Sequence, residues 1–289
     1  MIFSDNKSFA VCLTHDVDRV DKLWFHSLYY DLLKNKGKIN LQSSKRKNPY
    51  WNFEFIMDLE KKLGVRSTFF FLNETIPLSL FRPAQWKLSL GRYSLREKRI
   101  QKIIRDLDSG GWEIGLHGSY NSYQDQNLLK KEKQELESVL GGKIWGIRQH
   151  YLNLDIPETW RMHWEIGLKY DSSFGFNRDI GFKDNIYRPF KPLENKFMVL
   201  PLALMDICLF SQSNDYDEIW NRCLKIIDKA EEKKAVLTVL WHQRAFDKIE
   251  FPGYILIYKK LIEECKNRNA WFCLGKDICR KFRDKEDNR

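Results

Sequence analysis

The sequence predicts an α/β fold on a largely parallel sheet, and three observations point there. Short apolar β-type runs alternate with amphipathic stretches of helical period along the chain. The 289 residues, 43% of them apolar, suffice to bury a sizeable core. Several apolar runs end in His, Asp or Arg, and α/β barrels place their chemistry at the C-terminal ends of their strands. The length fits one barrel-like domain or two ordinary ones.

The first strand is expected over residues 9–14, followed by strands at 67–72, 112–116, 144–148 and 235–241. Shorter extended segments are expected at 169–171 and 200–206. Helices are expected at 53–63, 95–107, 128–140, 216–233 and 254–268, each with apolar residues at three-to-four spacing. Gly64, the Gly110–Gly111 pair and the Gly141–Gly142 pair supply stop signals for three of them.

The composition excludes a disordered chain, a collagen-like fibre and a minimal disulfide-stapled scaffold. Six cysteines occur without a C-x-x-C pair, several inside apolar runs, and read as reduced core thiols. The net charge of +10 suits an anionic partner such as a phosphorylated sugar, a lipid headgroup or nucleic acid. A nucleic-acid partner rests on charge alone, with no recognised motif beside it, and is not expected. Residues 34–47 hold six basic residues and no acidic one, and read as an exposed basic loop. The charged stretch 281–289 is expected to fray as a tail. Residues 1–8 carry no apolar run of signal-peptide length, and nowhere do 18 apolar residues run uninterrupted. A cytoplasmic chain that does not span a membrane is therefore expected.

The chemistry gathers at the strand ends. The first strand runs into His15-Asp16-Val17-Asp18, whose two carboxylates at i and i+2 share a face if the extended geometry persists. The third ends in His117-Gly118-Ser119-Tyr120-Asn121, the fourth in Arg148-Gln149-His150-Tyr151, and the last strong one delivers His242. One histidine at a strand end is usually a structural hydrogen-bonder, and Asp16 and Asp18 could simply cap a helix or pair with Arg19. Three strand ends delivering His and a fourth delivering Asp converge on one mouth if the sheet closes into a barrel. His15, turned away from Asp16, and His26 and His163, in helical contexts, read as structural.

Together these segments, with Ser67-Thr68-Phe69-Phe70-Phe71 and Leu240-Trp241-His242, resemble the polysaccharide deacetylase (NodB-homology) family over residues 9–280. The resemblance implies a single domain over 1–280, a distorted (β/α) barrel. It implies a metal-dependent hydrolase that removes an N-acyl, commonly N-acetyl, group from an amino sugar with a divalent ion, commonly zinc, with cobalt or manganese as alternatives. By resemblance Asp16 is the base, Asp18 a metal ligand and His117 the first histidine of the His-x-x-x-His metal motif. The second histidine of that motif falls on Asn121, which leaves the usual ligand set incomplete. His150, standing where the family has proline, could complete it; Asn121 or water are the alternatives. Arg148 matches the arginine that holds the catalytic Asp charged. Tyr151 matches the residue whose backbone N–H binds the oxyanion, and His242 the general acid. Asp171 is the candidate for orienting His242, and Asp206 a candidate for substrate contact or for the polar network.

The chemistry is self-consistent. A bound divalent cation lowers the pKa of water from about 15.7 to about 7, so an ordinary carboxylate suffices as base. The tetrahedral intermediate then collapses only if nitrogen is protonated, which an imidazole held by a nearby acid can do. The expected substrate is an N-acylated glycan or a lipid- or nucleotide-linked precursor, with peripheral contact at an anionic membrane face expected beside it. The competing reading is an inactive barrel kept as a carbohydrate-binding module, motivated by the missing histidine.

Overall fold

The computed structural model describes residues 6–22, 48–76, 81, 86–89, 91–194 and 196–284. The basic loop 34–47, His26 and residues 285–289 lie outside the described residues. β1 (Ala10–Val17), β2 (Thr68–Leu72), β3 (Glu113–Gly118), β4 (Gly146–Gln149), β5 (Tyr170–Asp171), β6 (Met198–Val199), β7 (Leu202–Met205), β8 (Val236–Leu240) and β9 (Trp271–Phe272) form one sheet. Every pairing between these strands is parallel, in the order β6-β5-β4-β3-β2-β1-β8-β7, with β9 added to β1. The two ends of that order, β6 and β7, are consecutive in the chain and separated only by Leu200 and Pro201. The sheet therefore curls until its edges meet in one segment, which pairs first with β5 and then with β8. This is a distorted (β/α) barrel, as expected.

The principal helices are α1 (Phe53–Lys62), α2 (Lys98–Ser109), α3 (Gln126–Leu140), α4 (Glu158–Glu165), α5 (Asp206–Phe210), α6 (Tyr216–Lys233), α7 (Tyr254–Asn267) and α8 (Gly275–Asp284). None of the described helices is long and apolar enough to cross a membrane. The five expected long helices are all present, three with the expected start; α2 begins three residues late, and α3 begins two residues early because the Asp125 side chain accepts from the Leu128 N–H at 3.0 Å. Helix α4 holds His163, whose context reads as helical, although the sequence sets no bounds for it, and α8 is not anticipated. The buried positions of α4 include Thr159 and His163, which blur its apolar period. In α8, Ile278 and Cys279 are buried, and the helix takes in Lys281–Asp284 from the stretch expected to fray.

Strand parity assigns the two faces. Val11, Leu13, Phe69, Phe71, Ile114, Leu116, Leu237 and Val239 point outward into the main core under the helices. Ala10, Cys12, Phe70, Tyr170, Met198 and Val236 point inward and pack with Ile278 and Cys279, so α8 plugs the N-terminal end of the barrel. Gly146 belongs to this inner face, and a side chain there would collide with the Tyr170 ring. All six cysteines are free and buried, as read from the sequence.

On the outer face one carboxylate binds several elements together. Glu60 of α1, fully buried, accepts from Ser67 Oγ at 2.9 Å, Trp112 Nε1 at 2.6 Å and Tyr258 Oη at 2.7 Å. Its Oε1 also lies 2.8 Å from His15 Nε2, while His15 Nδ1 donates to the Trp241 carbonyl at 2.6 Å. His15 is thus structural, as its parity predicts. Replacing Glu60 with alanine strips four buried partners at once. Glu60→Ala is expected to cost about 3–5 kcal/mol, read by denaturant unfolding; a loss below 1 kcal/mol would show that water replaces the carboxylate.

Candidate functional site

The inward parity that is apolar at the bottom of the barrel becomes polar at the C-terminal ends. In β1 it runs Ala10, Cys12, Thr14, Asp16, because the strand continues to Val17, three residues past the expected end. Asp18 follows immediately on the same side. His117 of β3, Arg148 and His150 at the end of β4, and His242 after β8 reach the same mouth.

Arg148 is fully buried, and four of its five N–H donors have partners. Nη1 donates to Asp16 Oδ1 at 2.9 Å and to Thr14 Oγ1 at 2.7 Å. Nε donates to the Ser172 carbonyl at 2.9 Å and Nη2 to Ser172 Oγ at 2.8 Å. The guanidinium carbon lies 4.7 Å from the centre of the Phe70 ring. One oxygen of Asp16 is thereby tied down; the other, Oδ2, faces His117 Nε2 at 3.7 Å.

His117 Nδ1 donates to the Arg148 carbonyl at 2.7 Å, which fixes the tautomer and aims Nε2 at Asp18 Oδ1, 3.2 Å away. His150 Nε2 lies 3.9 Å from the same oxygen. Ligand atoms of Asp18, His117 and His150 fall within 4.8 Å of one another, the only such cluster among the described residues. A carboxylate and two imidazoles converging from three strand ends match a zinc-type donor set. Burial pushes His150 down to about 3, so its imidazole is neutral at physiological pH and its lone pair is available. Burial would also lower His117, but Asp16 and Asp18 outweigh it and raise it, the mark of a site that calls for a cation. For Asp18, burial is overcome by the Arg244 guanidinium and the surrounding imidazoles, which hold it well below the usual carboxylate range. Asn121 is exposed on the turn after β3, where its carbonyl accepts from the Gln124 N–H at 3.3 Å. Of the alternatives open in the sequence, His150 therefore joins Asp18 and His117.

His242 stands across the site, its Nε2 3.8 Å from Asp18 Oδ2. Its Nδ1 donates to Asp206 Oδ1 at 2.7 Å, and its backbone N–H donates to Asp206 Oδ2 at 2.7 Å. Burial lowers His242, yet Asp206 more than compensates and raises it, favouring the imidazolium. The assignment of Asp171 as the group orienting His242 is corrected: Asp206 does so. Asp171 bonds Ser173 through both oxygens, at 2.8 and 2.6 Å, and faces His163 Nδ1 at 3.5 Å. Burial pushes Asp171 up to about 6. Ser173 Oγ in turn accepts from the Gln149 N–H at 2.8 Å, so Asp171 braces the end of β4.

Tyr151 lies at the rim in a left-handed backbone conformation (φ 58°), its ring 4.5 Å from that of His150 and 5.7 Å from that of Tyr120. Two rim groups escaped the sequence reading, Tyr120 and Arg244. Arg244 forms an ion pair with Asp18 Oδ2 and sits two residues past His242, the one signal that could have found it.

The donor set gives a direct test. His117→Ala and His150→Ala are each expected to weaken binding of cobalt(II), followed by its visible absorption, by about 10-fold or more, while Asn121→Ala leaves it unchanged. Loss in Asn121→Ala with retention in His150→Ala would reverse the assignment.

Neither a family model nor a curated protein matches this sequence. Solved structures do. A protein assigned as a polysaccharide deacetylase from Mycobacterium smegmatis superposes with a TM-score of 0.64 at 18% identity, covering 98% of this chain and 93% of that one. One from Pseudomonas aeruginosa gives 0.61 at 17% identity, covering 96% and 91%. A CE4 family pseudoenzyme from Bacillus anthracis gives 0.51 at 12% identity, covering 95% and 66%. The chain therefore has the fold of the polysaccharide deacetylases, the family its strand-end motifs resemble.

Proposed function

We propose that this chain is a metal-dependent carbohydrate N-deacetylase, a hydrolase of the amide bond that joins an acyl, most simply acetyl, group to an amino sugar. One observation carries the reading: the Asp18–His117–His150 cluster is flanked on one side by a carboxylate held by Arg148 and on the other by an imidazole held by Asp206. A binding surface needs neither pair, and amide hydrolysis needs both.

Zinc, or cobalt or manganese, held by Asp18, His117 and His150 would polarise the acyl carbonyl and make water acidic. Asp16 Oδ2, the oxygen Arg148 leaves free, takes the proton of the attacking water as its oxygen bonds the acyl carbon. The backbone N–H of Tyr151 is the candidate donor to the developing oxyanion. His242 Nε2 then gives its proton to the sugar nitrogen as the carbon–nitrogen bond breaks. The products are a carboxylate and an amino sugar. Asp206 fixes the ring through Nδ1 and supports its positive charge, the part that a carboxylate beside a catalytic histidine plays elsewhere.

The rim aromatics Tyr120 and Tyr151, both exposed and packed edge to face, offer surfaces against which a sugar ring can rest. Asn121, exposed on the adjoining turn, is the candidate partner for a sugar hydroxyl. The net charge of +10 supports a substrate carrying phosphate, a lipid- or nucleotide-linked precursor as readily as a polymer, reached in the cytoplasm or at an anionic membrane face. A second reading, a barrel that binds glycans without turnover, is favoured by one feature, the hold of Arg244 on Asp18.

Acetate release from N-acetylated sugar precursors, with zinc, cobalt or manganese supplied, tests the proposal. Asp16→Asn is expected to abolish release with metal still bound, and turnover retained in that variant would remove Asp16 as the base. Asp206→Asn is expected to lower kcat about 100-fold or more through His242. If Asp206→Asn costs nothing while Asp171→Asn costs turnover, the orienting role returns to Asp171.

A further inference from the structure

Arg244 stands apart from the other charged groups of the site. Arg148 spends four donor contacts on Asp16, Thr14 and Ser172 in full burial. The guanidinium of Arg244, which also carries five N–H donors, has Asp18 as its one hydrogen-bond partner among the described residues. Its side chain keeps 21% exposure, more than Asp18 at 14%, so the fork lies at the mouth.

The charges around it do not balance once the site is loaded. Asp16, Asp18 and Asp206 are its carboxylates, and Arg148 and Arg244 neutralise two of the three. A divalent ion at the Asp18–His117–His150 cluster then leaves the mouth positive, more so when His242 carries its proton. Arg244 and that ion would share one carboxylate, Arg244 on Oδ2 and the ion on the Oδ1 side that faces His117 and His150. A guanidinium whose partner is drawn toward a metal is best satisfied by an oxyanion offering two coplanar acceptors.

We infer that Arg244 is a specificity-determining residue that receives an anionic substituent, a phosphate or a carboxylate, carried by the amino sugar beside its acyl group. This rests on the deacetylase reading and narrows its substrate class to acidic amino sugars. Arg244 holds Asp18 before the substrate arrives and transfers part of its fork to the substrate's anion.

Calorimetric affinities of the zinc-loaded protein test this with three probes: methyl N-acetylglucosaminide, N-acetylglucosamine 1-phosphate and N-acetylglucosaminuronic acid. Wild type is expected to bind one of the anionic probes about tenfold tighter than the neutral one. Arg244→Gln is expected to lose that preference, and Arg244→Lys, which keeps the charge without the fork, to retain part of it. Preference for the phosphate probe identifies a phosphorylated sugar, and preference for the carboxylate probe a uronate. Equal affinity for all three in wild type, or an anion preference that survives Arg244→Gln, overturns the inference. Acetate release in the same samples separates the two proposals. An anion preference lost in Arg244→Gln, with no release by wild type, upholds Arg244 and removes the hydrolase; release without anion preference does the reverse.

Discussion

The complete burial of the Arg148 guanidinium is the constraint on which the site depends. A charged group removed from water must have its donors matched, and each unmatched donor costs the full desolvation of that group. Here the matches come from two strand ends beside its own: Thr14 and Asp16 on β1 and Ser172 after β5. The peptide that carries Arg148 also accepts from His117 of β3 through its carbonyl. Four strand ends are thus tied in register by one residue, and the imidazole facing Asp18 is aimed by the backbone of the residue that grips Asp16. Shifting any of these strands by one residue would send its polar groups outward, among Leu13, Leu116 and Val239.

Much of this was legible because a parallel barrel converts a period of two into a place. Asp16, His117 and Arg148 share one parity within their strands, Asp18, His150 and His242 follow just after strands at the same end of the sheet, and both facts can be read from apolar runs. Sequence does not give the order of strands around the barrel. β5 pairs with β4, with Ile147 level with Asp171, so Asp171 belongs to the Arg148 side. β7 pairs with β8, with Met205 level with Leu240, which sets Asp206 beside His242. Both acids lie at strand ends of similar appearance, and only neighbourhood separates their roles.

Other omissions have different physical causes. Helix α8 has few apolar residues, and they serve the barrel's interior rather than an outer layer, so it lacks the apolar stripe that marked the five expected helices. Arg244 lies in the turn Gln243–Phe246. Beyond a strand's end no periodicity says which way a side chain points. Asn121 illustrates the converse: a motif position fixes a place along the chain, while the turn Ser122–Gln124 that follows leaves that residue exposed.

The two acid–base pairs also differ in kind, and the difference gives the site a direction. Arg148 sets a permanent positive charge against one oxygen of Asp16, so the other oxygen is presented as an acceptor. Asp206 sets a carboxylate against Nδ1 of His242, so Nε2 is presented as a donor. Interchanging the partners would leave an imidazole beside a guanidinium and two carboxylates in contact, each pair repelling in a poorly solvated mouth. Acceptor on one side and donor on the other, with a cation-seeking cluster between them, is the polarity that adding water to an amide requires. It is built into the strand order before any substrate arrives.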